Sequence, residues 1–268
     1  MIGFALMILA GIVVAAAART GLRVQWRWLG IGAALWLAVL VFKVTVLPVL
    51  EPPIWRAMEI HFSRRVYLVV GAAFGGLTSG GMEVLVTVAA GLCWRHWSAS
   101  ARRAVAIGIG AGTGEAVILG ALGMVTELWS FLRGVPLPGS TLLMALWFPA
   151  IRLVSIPGHV AVRAMTLYAI ATRRWHWFWL ALGFFTINDA LFTLIAMTNP
   201  GQRTGSGTVL LTQLGFAAAS LPLIFHIWQH WPESADEGKA NEQTEVSARM
   251  GRGTRAAFDR ASRPDGRR

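Results

Sequence analysis

Ala104-Val-Ala-Ile-Gly-Ile-Gly-Ala-Gly-Thr-Gly-Glu115-Ala-Val-Ile-Leu-Gly-Ala-Leu-Gly-Met-Val-Thr-Glu-Leu128 decides how the chain must be read. Nothing basic interrupts it, and as a helix rising about 1.5 Å per residue it spans a hydrocarbon core of roughly 30 Å. Six more runs share its character: residues 2–18, 28–50, 66–94, 141–172, 176–198 and 208–231. Composition agrees, with 55% hydrophobic and 14% charged residues over 268 positions, against roughly 25% charged in soluble domains. Mean hydropathy is +0.57. The sequence therefore predicts an all-α, polytopic bundle of about seven transmembrane helices over residues 1–231, followed by a disordered cytoplasmic tail at 232–268.

Charge placement refines this. The net charge of +11 would fit nucleic-acid binding if it were a surface patch, but the arginines flank apolar runs, as membrane topology requires. Nucleic acid is excluded as a partner, and membrane lipids are expected. Cys93 is the single cysteine, so no internal disulfide framework is possible.

Arg19, Arg23 and Arg27, then Arg95, Arg102 and Arg103, then Arg173 and Arg174, then the tail all fall on one side of the predicted spans. The other side holds Arg56, Arg64 and Arg65, then Arg133, then Arg203. The positive-inside rule gives a multi-pass cell-membrane protein, such as one of a bacterial inner membrane, with its N-terminus outside and C-terminus cytoplasmic. Trp94, Trp97, Trp175, Trp177, Trp179, Trp228 and Trp231 mark the cytoplasmic interface, where amphipathic indoles settle.

Residues 141–172 would extend about 48 Å and contain Pro149 and Pro157, so a bent or broken helix is expected there. Pro222 should kink the last span. The tail is first acidic and then arginine-rich; solvated disorder is the expectation, with a basic helix over residues 246–262 on anionic lipid as the alternative.

Ionisable groups inside membrane spans are costly and point to function. Glu83, Glu115, Arg152, His159 and Asp189 lie deep in their runs. Glu83, Glu115, His159 and Asp189 sit about 16 to 20 Å from the cytoplasmic ends of their helices at helical rise, and Asn188 adds an amide at that level. One polar chamber is expected, lined by the third to sixth spans. Gly71, Gly75, Gly76, Gly80 and Gly81 precede Glu83, and Gly108, Gly110, Gly112 and Gly114 precede Glu115. Small residues permit close helix approach in lipid, so the two glutamate helices are expected to touch. The second glycine run lacks the Gly-Lys-Ser/Thr of a phosphate loop. Arg152, Ser155 or Ile156, His159 and Arg163 share one helix face by their spacing. A purely structural reading pairs Glu83 or Glu115 with Arg152 and hydrogen-bonds His159 to Asn188.

The run from Gly108 to Ala116 resembles the Gly-x-Gly-His-Gly-Gly-x-Glu-Ala signature of the YhfC-type intramembrane metalloproteases, relatives of the type II CAAX prenyl proteases. Glu83 falls where that family has a Glu-Glu pair followed within a turn by arginine. His159 matches a later histidine, and Asn188-Asp189 lie near the final His or Asn position. The similarity covers most of residues 42–194. Val84, Thr87, Val88 and Ala111 depart from the signature.

The resemblance implies a peptidase that cleaves within or near the membrane, acting on a membrane protein or peptide. Glu83 and Glu115 would form the acid/base pair, and His159 and Asn188 would polarise the carbonyl or steady the oxyanion. A divalent metal such as zinc would be the cofactor, if any, held by His159, Glu83 and Glu115. The four departures tilt the expectation toward a divergent, inactive member. A non-catalytic membrane scaffold or partner protein, or a small proton-coupled transporter, is the alternative that the same carboxylates allow.

Overall fold

The computed structural model describes residues 1–135, 142–198 and 207–232, with residues 142–145 described by their backbone alone. Pro232 apart, the expected tail lies outside the described residues, as does Arg203.

Each apolar run carries a helix, although the run expected at 28–50 is divided and its residues 47–50 pass into a further one. α1 covers Ile2–Leu22 and ends where Arg23 turns left-handed at φ 53°, and α2 covers Trp26–Thr45. The third run is continuous from Arg64 to Cys93, comprising α4 (Arg64–Gly76), a π-helical turn (Leu77–Gly81) and α5 (Met82–Cys93). Then follow α6 (Ala101–Leu132), α7 (Leu142–Thr172), α8 (His176–Thr198) and α9 (Gly207–Gln229). Among the described residues, seven spans are long and apolar enough to cross a membrane. This is an integral, multi-pass, all-α membrane protein.

One helix was hidden from the sequence. Residues 47–61 form α3 (Leu47–His61) between the second and third spans, although Pro52 and Pro53 stand in its interior, where proline opposes a helix; Pro48 lies in the first turn, where it is tolerated. Its hold is tertiary: the Trp55 ring meets Tyr67 at 6.1 Å and Phe74 at 5.6 Å. The expected break in α7 is not found, because Pro149 and Pro157 both stay inside one helix. Each proline removes a single ladder bond, and packing against α1, α5, α6, α8 and α9 holds the rest of the ladder together.

α6 and α7 are the most buried spans and form the centre. α1 and α2 cover one side of α6; α8 and α9 cover α7; α4 and the π turn lie on α8. Glycine permits these approaches. A methyl group at Gly76 would collide with the backbone of Thr186 and Ala190 on α8, and one at Gly108 with Val160 on α7. The glutamate helices consequently do not pair as expected. α5 and α6 share at most marginal contact, and α7 lies against both. The glycine faces were read correctly as contact surfaces and assigned to the wrong partners.

The outer surface is apolar: Ile12, Val69, Val125, Leu211 and Phe225 are exposed, as lipid contact demands. At the end of the bundle that carries the arginine-rich connections, indoles gather. Trp94 stacks on Trp97 at 5.0 Å, Arg103 lies over Trp28, and Trp177 stacks on His226.

Candidate functional site

α7 carries the centre of the site. Helical spacing puts Arg152, His159 and Arg163 along one face, and α5 and α6 bring a glutamate to it from either side. Arg163 is fully buried. Its Nη2 donates to Glu83 Oε2 at 2.6 Å, and its Nη1 lies 3.1 Å from His159 Nδ1. On the other side of the ring, His159 Nε2 lies 2.6 Å from Glu115 Oε2. Arg152 Nη1 donates to Glu115 Oε1. Glu83 Oε2 is 3.4 Å from His159 Nδ1, and Phe185 packs edge-on against the imidazole at 5.2 Å.

For a neutral imidazole these contacts fix one tautomer. Guanidinium can only donate, so the contact with Arg163 makes His159 Nδ1 an acceptor. The proton therefore sits on Nε2, which donates to Glu115. One imidazole thus bonds Glu115 directly and is linked to Glu83 through the Arg163 guanidinium.

A cavity of about 310 Å³ adjoins this cluster, and Glu83, Glu115, His159 and Asn188 all line it. The four residues expected to share a chamber do share one. Asn188 differs from expectation in its bonding. Its Nδ2 donates to Asp189 Oδ1 at 3.0 Å, and Gln213 Nε2 reaches its Oδ1 at 3.5 Å; no His159–Asn188 bond forms among the described residues. Lining residues Lys43, Arg152, Asn188 and Gln213 lie on the halves of α2, α7, α8 and α9 remote from the arginine-rich connections. The cavity therefore extends from the level of Glu83, Glu115 and His159, near the middle of their spans, into that half of the bundle.

Three participants escaped the sequence reading. Lys43 Nζ donates to Ser79 Oγ at 2.8 Å and lies 3.6 Å from Glu83 Oε1. Apart from Arg27 at the first turn, it is the one charged residue of α2, and intramembrane charge is the signal that could have found it. Ser79 and Gln213 carry no comparable signal, since hydroxyls and amides are common in helix packing.

Zinc does not fit this donor set. Both carboxylates already accept from guanidinium groups, and both nitrogens of His159 are engaged. Among the described residues, no three His, Cys, Asp or Glu side chains are arranged to hold a metal ion, whereas a catalytic zinc needs about three ligands and an open position.

No family model matches the chain, and neither curated proteins nor solved structures provide a match.

Proposed function

We propose that this membrane protein is a glutamate-dependent peptidase of the type its sequence resembles, acting on a polypeptide segment admitted to the chamber. The observation that carries the reading is His159, hydrogen-bonded at the cavity wall to Glu115 and flanked by Glu83. In the proposed reaction Glu115 takes a proton from the attacking water. His159 Nε2 passes its proton to the leaving amine and takes in return the one that Glu115 gained, and the amide of Asn188 steadies the oxyanion. Arg163 supports this reading, because it supplies Glu83 with the arginine that Thr87 and Val88 lack at the signature position. No step requires a metal.

The arginine distribution supports an N-out, C-in orientation. The chamber then faces the external half of the membrane, and substrates enter from that side.

One observation favours a second reading. Each carboxylate is held by its own guanidinium, an arrangement equally suited to a locked, non-catalytic scaffold. Purified protein in liposomes, presented with a library of single-span peptides, separates the two. Cleavage that falls roughly 10²-fold or more in Glu115→Gln establishes the peptidase; no cleavage by the wild type leaves the scaffold.

A further inference from the structure

The chamber contains a second chemical grouping that the glutamate mechanism does not use. Ser79 and Lys43 both line the cavity, with Lys43 Nζ 2.8 Å from Ser79 Oγ. Glu83 Oε1 lies 3.6 Å from the same ammonium, while Glu83 Oε2 is fixed by Arg163. A hydroxyl within hydrogen-bond reach of a proton carrier, itself oriented by a third group, is the arrangement of an activated nucleophile. Serine-lysine pairs with a nearby glutamate perform acyl transfer on other folds.

Local backbone adds a second observation. Ser79 sits at the centre of the π-helical turn Leu77–Gly81, the only such turn among the described residues. A π turn interrupts the regular ladder and is frequent at functional sites. Here it divides two adjacent hydroxyls: Thr78 Oγ1 bonds Glu51, whereas Ser79 meets Lys43 in the cavity.

We propose that Ser79 is a nucleophile activated by Lys43 and Glu83, forming an acyl-enzyme with an ester or amide whose acyl part is apolar. Trp36, Phe148, Phe184, Phe192 and Phe216 supply the apolar wall that such a group needs. The proton of Ser79 passes to Lys43 as Lys43 yields one to Glu83. Oγ bonds the carbonyl carbon, and collapse of the adduct expels the alkoxide or amine, which takes the relayed proton. Water then attacks the serine ester, its proton travels the same relay, and a carboxylic acid leaves as Ser79 regains its hydrogen. Asn188 and Gln213 line the same cavity, and each amide has a second N–H, beyond the one given to Asp189 or Asn188, with which to meet the oxyanion. The proposal rests on the chamber being a substrate site, but not on Glu115 acting as base.

The test uses the full chain in liposomes and an alkyl fluorophosphonate, with intact mass and peptide mapping as readouts. Attack forms the Oγ–P bond and releases fluoride, so one adduct per chain on Ser79 is expected. Ser79→Ala should abolish it. Lys43→Arg retains the cation that Glu83 needs, but arginine cannot release a proton; labelling should slow at least about 100-fold while the thermal transition stays in place. No adduct on the wild type, an adduct that survives Ser79→Ala, or undiminished labelling in Lys43→Arg each overturns the proposal. Labelled Ser79 without peptide cleavage removes only the glutamate-peptidase reading. Peptide cleavage that is indifferent to Ser79→Ala removes only this one.

Discussion

Arg163 on α7 donates to Glu83 on α5 at 2.6 Å, across a separation of 80 residues. The position one helical turn after Glu83 is taken by Thr87, whose hydroxyl turns back to the Glu83 carbonyl at 2.7 Å. The cation that neutralises the buried carboxylate thus comes from the central helix and not from its own. That choice ties α5 to α7 and fixes the level at which His159 enters the chamber.

Removing Arg163 should therefore be among the most damaging single changes. Arg163→Met leaves Glu83 buried with Lys43 3.6 Å away as its remaining cation. Breaking a buried pair from one side costs roughly 3 to 5 kcal/mol. The expected outcome is a large loss of thermal stability in detergent, with much of it regained in the double variant Glu83→Gln/Arg163→Met. Equal stability of Arg163→Met and the wild type would show that the pair carries no such load.

Much of this site was legible because helical geometry is local. Fixed rise per residue placed Glu83, Glu115, His159 and Asn188 in one layer, and i, i+4 spacing put Arg163 beside His159 on α7. Which helices face each other is not local. The glycine runs announced close contact, yet their partners are α8 for Gly76 and α7 for Gly108, set by how seven spans pack together. The π turn at Ser79 has no sequence signature, and the prolines of α3 hid a helix that Trp55 anchors to Tyr67 and Phe74 of α4.

Gly76 tests that packing directly. Gly76→Val would drive its side chain into the backbone at Thr186 and Ala190, where neither group can swing aside. Overpacking typically costs about 1 to 3 kcal/mol, and backbone contact puts this case at the upper end. A lowered thermal transition is expected, together with slower crosslinking between cysteines placed on the facing surfaces of α4 and α8. Normal crosslinking in the variant would mean that the two helices are not so close.

Cys93 reports orientation. It is exposed at the end of α5 that meets the arginine-rich connection. With that end cytoplasmic, an impermeant maleimide added outside intact cells should leave Cys93 unmodified and should label it after permeabilisation. A cysteine introduced beyond Trp231, in a Cys93→Ser background, should behave alike. Labelling of either from outside reverses the topology.

The two glutamates should differ in what they tolerate, although the sequence gives them equal standing. Glutamine keeps the shape of either side chain, so the outcome depends on the cation left behind. Glu115→Gln releases Arg152, whose side chain is 33% exposed and can rehydrate through the cavity; its carbonyl can still accept from His159. Glu83→Gln strands Arg163, whose side chain is 1% exposed. His159 can offer that guanidinium only a neutral nitrogen, and an uncompensated buried charge costs several kcal/mol. We expect Glu115→Gln to retain a near-native thermal transition in detergent and Glu83→Gln to lose several kcal/mol, with Arg163→Met again compensating. A purely catalytic role for both carboxylates makes the opposite demand: equal stability and equal loss of cleavage. Similar thermal transitions in the two variants would therefore show that Arg163 does not depend on Glu83.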